Sequence, residues 1–308
     1  MPDVPYTQAS EALGQALRGP GALRVETLLS LLADDSVPVA TAARAALENQ
    51  GKAALPGLKR ALHSQDPALR GRARQVLLQR ERERSVRRLI RYASRSKHEL
   101  ETALFLLDGH HSPGSDSRAY GKVLDTFGKR LEQKVAPLPR GHQRVQALVS
   151  YLSDELGFAG SDADYHHPDN ICLYRCIDRR QGMPLTLAAV YSAVGRRAAL
   201  QVDLLPFPGH VLTLVRDGAA RFILDPFGGG AQLSEEKCRA YLNSHRLPMR
   251  PEFLQPASAT AMFMRQVQNL IHSCKQRGRY TEARALRRIQ QVLSRHHASR
   301  SPLRSPQA

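Results

Sequence analysis

Two residues in this 308-residue chain have the types and the placing for acid–base chemistry, His210 and Asp225. His210 opens one apolar run, HVLTLVR, and Asp225 closes the next, RFILD. Asp217-Gly218 between the runs is a tight-turn signal. The spacing therefore predicts a hairpin that lays the two residues side by side, with paired backbones about 5 Å apart. A carboxylate that accepts from an imidazole N–H fixes the ring's tautomer for general-base work. Upstream, residues 182–186 read as a helix start, where a macrodipole would stabilise a thiolate. The expectation is that His210 and Asp225 lie within hydrogen-bond or one-water reach. The imidazole is expected to face Gly182–Thr186.

The elements that must position these residues follow from the pattern around them. PLTLAAVYSAVGRRAA (184–199) reads as a helix, with Pro184 suited to its first turn. Three β-like runs follow, LQVDLLPF, HVLTLVR and RFILD. Helices first and an antiparallel sheet after define an α+β protein rather than a doubly wound α/β one. Residues 98–157 read as further helices, and 260–294 as a helical pair turning at Gly278. The first hundred residues carry an internal repeat with an offset of 30, pairing Leu28 with Leu58, Ala43 with Ala73 and Leu47 with Leu77. Each unit reads as helix, turn, helix and resembles a HEAT repeat; such hairpins bury their apolar faces by stacking. The expected organisation is 1–95 helical repeats, 96–255 the α+β core, 256–295 a tetratricopeptide-like pair and 296–308 a disordered basic tail.

Composition narrows the function classes. With 42% hydrophobic residues the chain can build a sizeable core. No run approaches the roughly 20 apolar residues of a membrane span. The N-terminus lacks the pattern of a secretory signal, and four Cys make no disulfide scaffold. A cytoplasmic protein is expected. The formal charge of +17 comes from the ends. Ten Arg lie within 70–95 against Glu81 and Glu83 alone. Nucleic acid or another polyanion is a conceivable partner, but solvated helical faces are the favoured reading, because no Trp and no nucleic-acid motif accompany the charge.

The segments Asn170–Leu173, DRRQGMPLTLAAVY (178–191), PFPGHVLTLV (206–215) and ILDPFGGGAQLSEEKC (223–238) together resemble the SirB1 family. The resemblance covers about residues 98–295 and implies a transglutaminase-like core. It marks Asn170, Arg180, Gly182, Pro184, Gly209, Pro226, Phe227 and Gly229 as substrate-binding or structural motif positions, beside His210 and Asp225. The chain departs from an active enzyme of that class at one point. A Gly-x-Cys arrangement would open the helix, and here the positions are Gly182-Met183-Pro184. The nearest hydroxyl is Thr186, which needs far more activation than a thiol; bonding of local backbone by a helix-start side chain is its favoured reading.

Other candidates have plainer readings. Cys172 and Cys176 precede the helix by eight or more residues and read as small hydrophobes. Gly228–Gly230 lack the Lys-Ser/Thr partner of a phosphate loop and read as a tight turn. His166 and His167, with Asp162, Asp164 and Asp169, show no regular ligand spacing. No metal and no cofactor are expected. Three functions then compete. One is a non-catalytic module that binds another protein through its helical repeats. A second is an amide hydrolase or acyl transferase using Thr186 or Cys172 with His210 and Asp225. The third is polyanion binding through the basic ends.

Overall fold

The computed structural model describes residues 25–161 and 164–298, in two compact units that divide at Arg84/Ser85. That point lies inside one continuous helix, Pro67–Ala93, ahead of the 95/96 boundary read from the sequence. The helix contains no breaker between Arg74 and Ala93, so composition offers no linker signal there.

The first unit is helical. Val25–Leu32 and Val37–Asn49 form one pair, and Leu55–Ala61 with the start of Pro67–Ala93 forms the next. The repeat positions are its core: Leu28, Leu58, Ala43, Ala73 and Leu47 are all buried. Arginines close the turns. Arg70 donates to the carbonyls of Ser64 and Gln65, and Arg72 to those of Leu32 and Asp34, at 2.6–2.9 Å. These carbonyls follow helix ends, where backbone acceptors lack intrahelical partners. Part of the basic surplus is therefore engaged by the chain itself.

The second unit is built around Pro184–Arg197, a helix buried on every side from Pro184 to Gly195. An all-round apolar helix must lie inside a core. Helices Leu100–His111, Ser117–Val135 and His142–Val149, the last continued by a π-helical turn over Ser150–Glu155, share that core. A four-stranded antiparallel sheet covers another side, in the order β3 (Gln201–Leu205), β4 (Leu212–Asp217), β5 (Ala220–Asp225) and β6 (Ala231–Leu233). Alternation divides the strands. Val202, Leu204, Val211, Val215 and Leu224 join the main core, whereas Leu205, Leu212 and Leu214 pack with Cys238 and Leu242 of the Glu235–Ser244 helix. A two-residue parallel pair, β1 (Ala159–Gly160) with β2 (Gln181–Gly182), precedes the central helix. The helices Ala259–Gln276 and Tyr280–Ala298 add their apolar faces to the same core and turn at Gly278, whose φ is 68°. Residues 299–308, most of the expected basic tail, lie outside the described residues, as do 1–24.

One expectation is corrected here. His210 does not open a strand, because β4 begins only at Leu212. The Pro208-Gly209 pair makes a turn instead. The His210 N–H donates to the Phe207 carbonyl at 3.0 Å, and Gly209 has φ 70°, the left-handed conformation that a proline-first turn needs at its second central residue.

Candidate functional site

The turn sets the imidazole ahead of β4, and the Thr213–Leu224 pairing brings the end of β5 alongside. His210 Nε2 stands 2.6 Å from Asp225 Oδ1, with the side chains 18% and 20% exposed. The pair is thus assembled at the protein's rim. Asp225 Oδ1 also accepts from the Phe227 N–H at 3.0 Å. Burial pushes the Asp225 carboxyl upward, but the imidazole and the N–H groups of Gly228 and Phe227 outweigh it and hold it below the ordinary range. With Nε2 facing the carboxylate, Nδ1 is the nitrogen left for other chemistry.

Phe227 fixes the outer side of the ring. It stands edge-on to His210 with centroids 5.6 Å apart, and its carbonyl accepts from the Gly160 N–H at 3.0 Å. A Cβ at position 160 would lie 2.7 Å from the Phe227 ring, so only glycine fits β1 there. Tyr165 continues the aromatic edge, 6.0 Å from Phe227.

At the start of the central helix the candidate hydroxyl is already committed to other groups. Thr186 is fully buried; its hydroxyl donates to the Ile171 carbonyl at 3.0 Å and accepts from Gln266 Nε2 at 3.1 Å. Asn269 donates to Met183 Sδ at 3.4 Å and to Gln266 Oε1 at 3.1 Å. The Ala259–Gln276 helix thus anchors the start of the central helix through these side chains. The Thr186 proton is thereby committed to a backbone carbonyl rather than to a base. Cys172 fares no better: it is 1% exposed, and burial drives its thiol well above the ordinary value.

The other motif residues make contacts within the chain. Asn170 bridges the Asp164 carbonyl and Arg179, each at 3.1 Å, while its own carbonyl accepts from the Met183 N–H at 2.8 Å. Arg180 has φ 60°, and its guanidinium lies over the Phe127 and Phe158 rings at 4.8 and 4.9 Å. A Cβ on Gly182 would come within 2.8 Å of Cys176 Sγ. Pro184 is the first residue of its helix and Pro226 is buried behind Asp225. Gly229 has φ 69°, consistent with a turn. His166 and His167 sit in a loop latched by arginines: Arg277 reaches Asp164 at 2.6 Å, and Arg175 reaches Asp169 at 2.9 Å. Asp162 lies outside the described residues. Among the described residues, no three His, Cys, Asp or Glu converge as metal ligands, and no helix is long and apolar enough to cross a membrane.

Sequence reasoning missed three features. A cleft of about 640 Å³ lies beside Gly228–Gly230, opposite His142, Gln146 and Asp154. Arg265 donates to the His210 carbonyl at 2.7 Å. Asp108, from the Leu100–His111 helix, accepts from the Leu173 and Tyr174 N–H groups at 3.1 and 2.9 Å. Desolvation lifts this buried carboxyl to about 7. An acidic residue in an otherwise apolar helical stretch was the available signal for Asp108; Arg265 offered none.

Residues 118–268 match the family model of the transglutaminase-like superfamily. The matched segment includes both members of the His210–Asp225 pair and runs into the Ala259–Gln276 helix. A UPF0162 protein of Xylella fastidiosa is 28% identical over 177 residues, 56% of this chain and 63% of that protein. A UPF0162 protein of Pseudomonas aeruginosa is 29% identical over 181 residues, 56% of this chain and 64% of that protein. These matches span less than two thirds of either relative's length. Human F-box only protein 21 is 28% identical over 111 residues, 33% of this chain and 18% of that protein. No solved structure matches at comparable significance.

Proposed function

We propose that this protein is a cytoplasmic, SirB1-type transglutaminase-like protein that keeps the imidazole–carboxylate pair without a protein nucleophile, and that it acts by binding another protein. The observation that carries this reading is the helix start: Pro184 occupies its first position, Thr186 is engaged by Ile171 and Gln266, and Cys172 is buried. Nucleophilic catalysis needs an activated hydroxyl or thiol beside its base, and neither candidate is free to supply one. The helical hairpins of residues 25–84, read as HEAT-like repeats, and the tetratricopeptide-like pair 259–298 are the docking elements in this reading. Val37 and Leu78, apolar and 71% and 41% exposed, mark the hairpin faces. In a deletion strain of the source organism, His210→Ala restores function, whereas Val37→Asp with Leu78→Asp abolishes it without unfolding the chain. The reverse pattern overturns the proposal.

A second reading is favoured by the pair itself. At 2.6 Å and partly exposed, His210 and Asp225 are arranged for His210 to activate a water against an amide or ester, with Asp225 orienting the ring. Turnover of such substrates that disappears in His210→Ala supports this hydrolase. An iodoacetamide adduct on Cys172 in the folded protein would restore the thiol enzyme.

A further inference from the structure

The C-terminal helical pair reads, from sequence, as a tetratricopeptide-like element of a kind used for docking. Its contacts give it a second part to play. Arg265, in the Ala259–Gln276 helix, donates from Nη2 to the His210 carbonyl at 2.7 Å and from Nη1 to the Phe207 carbonyl at 3.2 Å. These are the first and last carbonyls of the turn that presents the imidazole. The Phe207 carbonyl already accepts the closing bond of that turn from the His210 N–H. A guanidinium is a planar fork with several donors, so one side chain can hold both ends of a four-residue turn in a fixed relation. Among the described residues, Arg265 has no carboxylate within ion-pair distance, so the two carbonyls are its polar anchors. The adjacent Gln266 and, one helical turn on, Asn269 hold the start of the central helix through Ile171, Thr186 and Met183.

We propose that Arg265 is a positioning residue for His210: by clamping the Phe207–His210 turn from the C-terminal helix, it sets the imidazole at hydrogen-bonding distance from Asp225. The Ala259–Gln276 helix is then part of the site's frame, and a partner that moves this helix must also move the imidazole. Burial, which lowers the guanidinium's pKa, fits a group enclosed by this contact rather than a solvated cation. The inference rests on reading His210–Asp225 as the functional pair. Its test concerns the geometry of that pair alone, so failure leaves the question of a missing nucleophile untouched.

The measurement is NMR of the full chain labelled with 15N-histidine, His210 being assigned by its disappearance in His210→Gln. The wild type is expected to show a slowly exchanging, downfield imidazole proton on Nε2, the signature of the bond to Asp225. In Arg265→Met the exchange of this proton accelerates by about tenfold or more, the scale of losing one charge-assisted hydrogen bond. Amide exchange in the Pro184–Arg197 helix stays at the wild-type rate. Arg265→Lys, with one point donor for two carbonyls, falls between. Wild-type exchange at Nε2 in Arg265→Met overturns the proposal, as does equal acceleration across the central helix, which would make Arg265 merely a general stitch. If Arg265→Met does not fold, Arg265→Lys decides: faster Nε2 exchange supports the proposal, and the wild-type rate overturns it.

Discussion

Asp225 and Asp108 sit in the same unit, and their environments push them in opposite directions. Asp225 lies at the rim, where an imidazole and backbone N–H groups hold its carboxyl below the ordinary range. Asp108 lies in the core, where desolvation outweighs two backbone N–H donors and lifts its carboxyl to about 7. Cys172 beside Asp108 is buried, and on the same helix as Asp108 burial with Arg279 pushes His111 down to about 4. A Cys and an Asp in contact, with a His on the same helix as the Asp, would pass for an active site by residue type. Access and an unengaged atom distinguish the rim pair from the core cluster.

The sharpest break of this comparison is in pH. Asp108 is raised from 3.8, so between about 4 and 7 the folded state holds the extra proton and stability falls as pH rises. His111 is lowered from 6.5, so between about 4 and 6.5 the unfolded state holds the extra proton and stability rises with pH. The effects are on the order of 4 kcal/mol for Asp108 and 3 kcal/mol for His111, and they largely offset one another. Urea melts should therefore show little slope for the wild type across this window. Asp108→Asn should gain stability as pH rises and His111→Asn should lose it. Parallel profiles for the two variants would sink the core assignment.

Next in size is Thr186→Val, which leaves Gln266 Nε2 with one acceptor fewer in a dry site. The expected loss is about 1–2 kcal/mol by denaturant unfolding. A neutral result would mean that the hydroxyl is not engaged as described. Asp225→Asn removes the depressed carboxylate of the rim pair. After solvent screening it is expected to cost about 1 kcal/mol at pH 7. Because a lowered carboxyl stabilises only above its unfolded value, that cost should shrink as pH falls below about 4. The smallest effect is His210→Ala, under about 0.5 kcal/mol, since Asp225 keeps its backbone donors. A thermal midpoint several degrees lower would move His210 from the functional to the structural side of the comparison.

Much of the rim was legible in the sequence, because its signals are local. Asp217-Gly218 does turn β4 into β5, with Gly218 at φ 66°, and Pro184 does begin the central helix. The strand position of His210 was misread, because an apolar run does not show where a Pro-Gly turn hands over to paired backbone. The core cluster was illegible for a different reason. Asp108 reaches residues 65 and 66 positions away, and Arg265 reaches back 55 and 58, through contacts made only once the helices have packed. Helical periodicity reports that a face is buried and says nothing about which loop it meets.

The burial of all four cysteines has a practical consequence. Cys176 and Cys274 belong to the main core, while Cys238 lies under the outer face of the sheet with Leu205 and Leu242. A small alkylating reagent can reach these sulfurs only when the chain opens, so their labelling works as a stopwatch with two hands. If the Glu235–Ser244 helix peels from the sheet before the interior gives way, Cys238 is capped first and the others follow together at the global rate. The native chain thus carries reporters of its own breathing in two separate layers, with no added dye or engineered residue.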